Sequence, residues 1–182
     1  LGNHDSGRGY EEMLDILAQS GVTLLQDESV VIDHRLILVG RKDSAPLGDQ
    51  GAPRQPVPAD PLAAQLPVIV MDHQPVNISE YAAPVDLVLC GHTHKGQLFP
   101  FGFITKALFR GHYGAYQANE VATYVVVTSG AGSWGPPLRV GSDSEVALIT
   151  LHFPRNADET AGRSHPGFNA PCEKLKSFHI VR

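Results

Sequence analysis

Two stretches decide the fold: Pro67-Val68-Ile69-Val70-Met71-Asp72-His73-Gln74-Pro75 and Leu87-Val88-Leu89-Cys90-Gly91-His92-Thr93-His94. Each is a short, continuous apolar run that stops abruptly at polar, histidine-bearing residues. Runs of this length without polar alternation suit strands covered on both faces. Polar groups just past the ends of such strands are where α/β folds place their sites. An α/β class (α+β in the looser sense) follows, with chemistry concentrated near His73, His92 and His94.

Working outward, Tyr10, Met13, Leu14 and Leu17 repeat at i, i+3, i+4, i+7 and predict a helix over 9–20. Glu11 and Glu12 suit its first turn, and Gly21 its end. Val22–Leu25 reads as a strand. Val30–Ile32 and Leu36–Val39 read as a hairpin about Asp33-His34-Arg35. Residues 44–67 hold Pro46, Pro53, Pro56, Pro58, Pro61 and Pro67, which predicts an irregular surface excursion with one helical turn near 60–66. A short helix is expected over 77–82, with Asn77 or Ser79 near its start. Further strands are expected at 124–128 and 146–151. Residues 152–182 show no period and are expected to form a poorly ordered tail.

Composition narrows the function classes. The 182 residues carry 14 Lys and Arg against 19 Asp and Glu, a net charge of −5, which gives no excess to hold a nucleic-acid backbone. The 2 cysteines exclude a disulfide scaffold and a CxxC zinc module. The apolar runs Leu66–Met71 and Tyr124–Thr128 are far shorter than the roughly 20 residues of a membrane-spanning helix.

Four of the histidines, with one asparagine, stand at strand ends or in a Gly-flanked loop: Asn3 and His4, His73, His92 and His94. Imidazole nitrogen and amide oxygen are both ligands for a divalent ion such as Zn, Mn or Fe. In an extended segment His92 and His94 project to one side, and Gly91 before them permits tight geometry. Each lone histidine has a bland reading, as a surface or hydrogen-bonded residue. Three clusters in such places favour metal binding jointly.

Gly2-Asn3-His4-Asp5, the single His73, and Gly91-His92-Thr93-His94 resemble, in order and spacing, three motifs of the calcineurin-like metallophosphoesterases. The stretches Gly91–Pro100 and Trp134–Ser142, with Glu145, resemble the bacterial YkuE/YaeI-type branch. The resemblance runs over residues 1–151. It implies a four-layer αββα sandwich, of which this chain is expected to supply the C-terminal part, and a phosphate mono- or diesterase with two divalent ions (Mn, Fe or Zn). Asn3, His73 and His92 would bind one ion and His94 the other. A hydroxide bridging the ions would attack phosphorus, and His4 would protonate the leaving group. Asp5 would orient His4, since a carboxylate beside an imidazole fixes its tautomer. Asp72 reads either as a similar orienter of His73 or as a cap of its strand end.

The family also carries DxH and GDxxD motifs upstream of GNHD. They hold further ligands, and the chain begins at GNHD. It is therefore expected to be N-terminally truncated, and marginally stable or part of a larger assembly. Relatives are often membrane associated through upstream segments; for this chain the location is open. Lys95, Arg110, His112 and Trp134 are candidate substrate contacts, with solvated charge the alternative for Lys95 and Arg110. Trp134–Arg139 reads as a site wall or as a loop lock. Leu98, Phe99, Phe101 and Phe103 read either as buried core or as an apolar surface for lipid or membrane. The competing function is a metal-binding or interaction domain without turnover. A β-lactamase-type metallohydrolase needs HxHxDH, whereas His92-Thr93-His94 continues with Lys95-Gly96.

Overall fold

The computed structural model describes residues 1–5, 7, 9–46, 53–57, 66–81, 85–109, 111–118, 123–152 and the backbone of 177–181. Helix α1 spans Tyr10–Gln19. It ends as its sequence demands: Gly21 takes φ 68°, Gly21 N–H donates to the Ala18 carbonyl, and Val22 N–H reaches back to Leu17. This left-handed closure satisfies carbonyls that the last turn would leave orphaned.

Strands β1 (Glu28–Ile32) and β2 (Leu36–Gly40) form the expected hairpin. Asp33 and His34 adopt φ 48° and 55°, and Arg35 N–H donates to Ile32. Two positive φ values give the primed turn whose twist matches paired strands. β3 (Val68–Met71), β4 (Leu87–Cys90), β5 (Gly114–Gln117) and β6 (Tyr124–Val127) complete a six-stranded mixed sheet in the order β1-β2-β3-β4-β6-β5. Its four central strands, β2, β3, β4 and β6, are parallel, and the edge pairs β1–β2 and β5–β6 are antiparallel. This is the α/β class expected, and it is consistent with a metallophosphoesterase sandwich.

Both faces of the sheet are covered, which is why the strands read as continuous apolar runs. Ile37, Val39, Val68, Val70, Val88, Cys90, Val125 and Val127 form one core with Tyr81 and Val85. Ile69, Leu87 and Val126 face the other way, against Ile149 and Leu151. Those two belong to β7 (Leu148–His152), which pairs antiparallel with β8 (Ser177–Val181) in a second, two-stranded sheet.

Several expectations change. Val22–Leu25 is not a strand; its ends are half-buried or exposed, and Asp27 N–H, not residues 22–25, takes up the Gly40 carbonyl. The region expected to be a poorly ordered tail, 152–182, contains β8, and 153–176 lie outside the described residues. So does the helical turn near 60–66 but for Leu66. The 77–82 helix is a single 3-10 turn, Ile78–Glu80. The Phe-rich stretch forms helix α2 (Phe101–Leu108), and the buried-core reading fails: Phe99 and Phe103 are each 68% exposed.

A buried ionic cluster ties the Pro-rich excursion to the sheet. Arg54 donates to Asp72 through Nη1 (3.2 Å) and Nη2 (2.8 Å), and the Tyr81 hydroxyl donates to Asp72 Oδ2 at 2.5 Å. Side chains alternate along a strand, so Asp72 points to the face opposite His73. Asp72 is therefore a structural anchor, not the orienter of His73.

Candidate metal centre

The parallel strands deliver the site. Past β3 and β4 the ladder continues: Asp72 N–H donates to Leu89 and Gly91 N–H to the His73 carbonyl, both at 3.0 Å. His73 and His92 are thereby brought side by side at the carboxyl edge of the sheet. Asn3 comes from the N-terminal turn, which Asp5 closes twice. Its N–H donates to the Gly2 carbonyl (3.1 Å), and its Oδ2 accepts from Gly2 N–H (2.6 Å).

Three side chains converge. Asn3 Oδ1 stands 3.1 Å from His73 Nε2 and 3.2 Å from His92 Nδ1, and the two ring nitrogens are 3.2 Å apart. Hydrogen bonding cannot satisfy this triangle. The amide oxygen only accepts, and any choice of tautomers leaves at least one edge with facing lone pairs or facing protons. A cation resolves all three edges at once. Ligands about 2.1 Å from one ion stand roughly 3.0–3.4 Å from each other in octahedral or tetrahedral geometry, and the observed edges fall there. The donor set fits a divalent ion, with further ligands needed from outside the trio. Among the described residues no group of three His, Cys, Asp or Glu side chains forms a metal site by itself.

Electrostatics suit the same task. Burial pushes the His73 pKa below its ordinary value, against the opposing pull of Asp43 and Asp5. Burial, and then the neighbouring His73, do the same to His92. Both rings are held neutral, the form that ligates metal.

His94 departs from the expected geometry. The 92–97 segment is not extended: His92, His94, Lys95 and Gln97 take φ of 67°, 48°, 53° and 47°. His94 thus faces the same cleft but turns its Nδ1 to Arg139 Nη2, 3.4 Å away, while Arg139 Nη1 donates to its carbonyl. Burial, then the guanidinium, lower its pKa.

The cleft over these residues has a volume of about 770 Å³, and Trp134, Phe101 and Phe109 also line it, Phe109 with its ring edge-on to that of His92 at 5.7 Å. His4 is exposed, with its ring 5.9 Å from that of Trp134 and tilted by 54°. Among the described residues no hydrogen bond joins it to Asp5, whose carboxylate is spent on the turn. Of the other substrate candidates, Lys95 and His112 are not among the residues lining the cleft. Lys95 Nζ sits 4.4 Å over the Tyr113 ring, and the His112 carbonyl accepts from Thr93 Oγ1 at 2.5 Å. Arg110 lies outside the described residues.

Three residues were not legible as site residues in the sequence. Gly2 has no space for a side chain beside His73. Gln97 bonds the Trp134 backbone through both ends of its amide. Arg139 donates to the Ser129 and Gly130 carbonyls (2.8 and 3.0 Å) and also to that of Gly132. The signal available was their place inside the motif stretches, where a polar side chain stands among glycines and apolar residues. Trp134–Arg139 therefore serves as wall and lock together: Trp134 lines the cleft, and Arg139 braces the loop behind it.

The chain is similar to an uncharacterized metallophosphoesterase of Campylobacter jejuni, 36% identical over 159 residues, covering 83% of this chain and 41% of that protein. An uncharacterized metallophosphoesterase of Aquifex aeolicus is 33% identical over 154 residues, covering 83% and 59%. The phosphodiesterase YaeI of Escherichia coli is 32% identical over 166 residues, covering 83% and 56%. The chain thus spans about 41% to 59% of the length of these relatives. No family model and no solved structure matches it. No described helix is long and apolar enough to cross a membrane.

Proposed function

The chain belongs to the calcineurin-like metallophosphoesterase superfamily, and from that premise we propose that it carries part of the active site of a metal-dependent hydrolase of phosphate mono- or diesters. Asn3, His73 and His92 would hold one divalent ion (Mn, Fe or Zn), and His94 would contribute to a second. The observation that carries the reading is the triangle of Asn3 Oδ1, His73 Nε2 and His92 Nδ1, with edges of 3.1–3.2 Å.

Bound ions would supply Lewis-acid polarisation of a phosphoryl oxygen and a lowered pKa for water. The chain's own residues do the rest. His4, exposed at the cleft and next in sequence to Asn3, donates a proton to the departing alkoxide. Asp5 holds the turn that presents it. Trp134, Phe101 and Phe109 form an apolar wall that excludes water from the ester's organic group. The exposed Phe99, Phe101 and Phe103, with Leu98 half-buried beneath, support contact with a lipid or membrane surface as part of the same reading.

The test is metal content with turnover. In the full-length protein we expect two bound ions and metal-dependent hydrolysis of p-nitrophenyl phosphate or its bis-ester. Metal bound without turnover of either ester would move the non-catalytic metal-binding reading ahead.

A further inference from the structure

We propose that Gln97 is a positioning residue of this site: its side-chain amide holds Trp134 against His4 and so sets where a substrate's leaving group rests. The inference rests on the phosphoesterase reading and adds a residue for which that reading has no role.

Gln97 is 4% exposed, at the root of a loop whose residues 131–138 are all exposed. Its backbone takes φ 47°, a region that L residues seldom enter and that surrounding contacts must hold. The side chain shows what the conformation achieves. Nε2 donates to the Trp134 carbonyl and Oε1 accepts from the Trp134 N–H, each at 2.6 Å. Two opposed hydrogen bonds to one peptide residue fix its position and its rotation, as a neighbouring strand would. The Gln97 carbonyl accepts in turn from Val140 N–H (2.8 Å) and Ser142 Oγ (3.1 Å). One buried residue thus grips both limbs of the loop.

The grip matters because, among the described residues, no other hydrogen bond reaches the Trp134 backbone. Trp134 is 54% exposed, and its loop carries Gly130, Gly132, Gly135 and Gly141, with Gly135 directly before a Pro136-Pro137 pair. A glycine-rich loop samples many conformations unless its backbone is tied down. Arg139 ties the 129–132 limb through carbonyls, whereas Gln97 ties Trp134 itself. The indole then stands beside His4, the group that faces the leaving atom. Gln97 acts on the reaction through Trp134, not by touching substrate.

The experiment uses the full-length protein, labelled at histidine Cε1 and assigned with a His4 variant. The Trp134→Leu change removes the indole's ring current from the His4 signal and defines the unpinned reference. Gln97→Ala should move the His4 resonance toward that reference while bound metal stays unchanged. Gln97→Glu keeps the shape and the acceptor half of the clamp, so its resonance should fall between. Kinetically, Gln97→Ala should lower kcat by about ten- to hundredfold for an alkyl ester, whose leaving group needs a proton. It should change p-nitrophenyl ester turnover far less. A Gln97→Ala protein with the wild-type His4 resonance and the wild-type leaving-group dependence would overturn the proposal. If the wild type hydrolyses neither ester, the phosphoesterase reading fails by itself, and the His4 resonance still decides whether Gln97 positions Trp134.

Discussion

A β-carbon on Gly2 would stand 2.7 Å from both Cε1 and Nε2 of His73. The first turn of the chain and the end of β3 therefore pack backbone against imidazole, and this contact sets where Asn3 and His73 meet. Gly2→Ala must push the ring or the turn aside. We expect it to cost metal uptake of tenfold or more, with a smaller loss of thermal stability. Calorimetric titration with Mn and Zn beside a melting curve measures both; unchanged affinity would show that the contact yields without cost.

His4 stands beside the trio without joining it. Its replacement should separate metal binding from turnover. His4→Ala is expected to retain its ions and lose roughly two to four decades in rate, the range for a general acid. Metal analysis and steady-state assays on the same preparation test this, and undiminished turnover would remove His4 from the mechanism.

His73, His92 and His94 are all held below the ordinary histidine value of 6.5, with burial the largest cause in each. Below pH 6.5 the unfolded chain takes up protons before the folded one does, so unfolding gains free energy as acid is added. The metal-free protein should be most stable above pH 6.5. It should lose stability as the pH falls from 6.5 through the depressed values, His112 adding to the same trend, with each ring's contribution ending once that ring is charged in the folded protein. Melting temperatures from pH 8 to 5 read this directly, and a flat profile would contradict it.

Arg54 and Asp72 form a pair of which the carboxylate side chain is 0% exposed. Removing only the cation leaves that charge buried and unpaired, so Arg54→Ala should destabilise by about 3–5 kcal/mol. Tyr81→Phe removes one hydrogen bond to the same carboxylate and should cost about 1–3 kcal/mol. Adding Asp72→Asn to Arg54→Ala should recover much of the first loss. Denaturant unfolding of the single and double variants gives the coupling.

Phe99 and Phe103 stack edge to face at 6.0 Å while remaining largely in solvent. Changing both to Ser should therefore alter stability by no more than about 1 kcal/mol, as for other surface positions. It should sharply reduce sedimentation with vesicles containing anionic phospholipid. Equal sedimentation of the double variant and the parent would leave this face without a lipid role.

Legibility followed the range of the forces involved. Helix α1, its glycine stop, the β1–β2 turn and the strands at 68–71, 87–90 and 124–127 rest on spacing and turn chemistry within a few residues, and all were readable. Val22–Leu25 has strand-like composition but pairs with no described strand, although Leu25 packs against Gly40 of β2. β8 was missed for the converse reason: its pairing with β7 is set by a partner some thirty residues away, not by its own period. Asp72 was ambiguous because its partners, Arg54 and Tyr81, stand 18 and 9 residues away and no local pattern announces them.

By itself the sequence determined which strands are buried, that their carboxyl ends carry His73, His92 and His94 while the first loop carries Asn3 and His4, and the resemblance that names their chemistry. Apolar runs and short motifs are local, so one chain suffices to read them. Only the tertiary structure decided how those residues combine. The parallel ladder sets His73 against His92, and Gly2 lets Asn3 close the triangle. The positive φ at His92 and His94 parts two histidines that look equivalent in the sequence, and Gln97 and Arg139 fold a distant loop into the cleft wall. The ladder, the Gly2 contact and the side-chain grips of Gln97 and Arg139 all join segments far apart in the chain, and no local pattern encodes them.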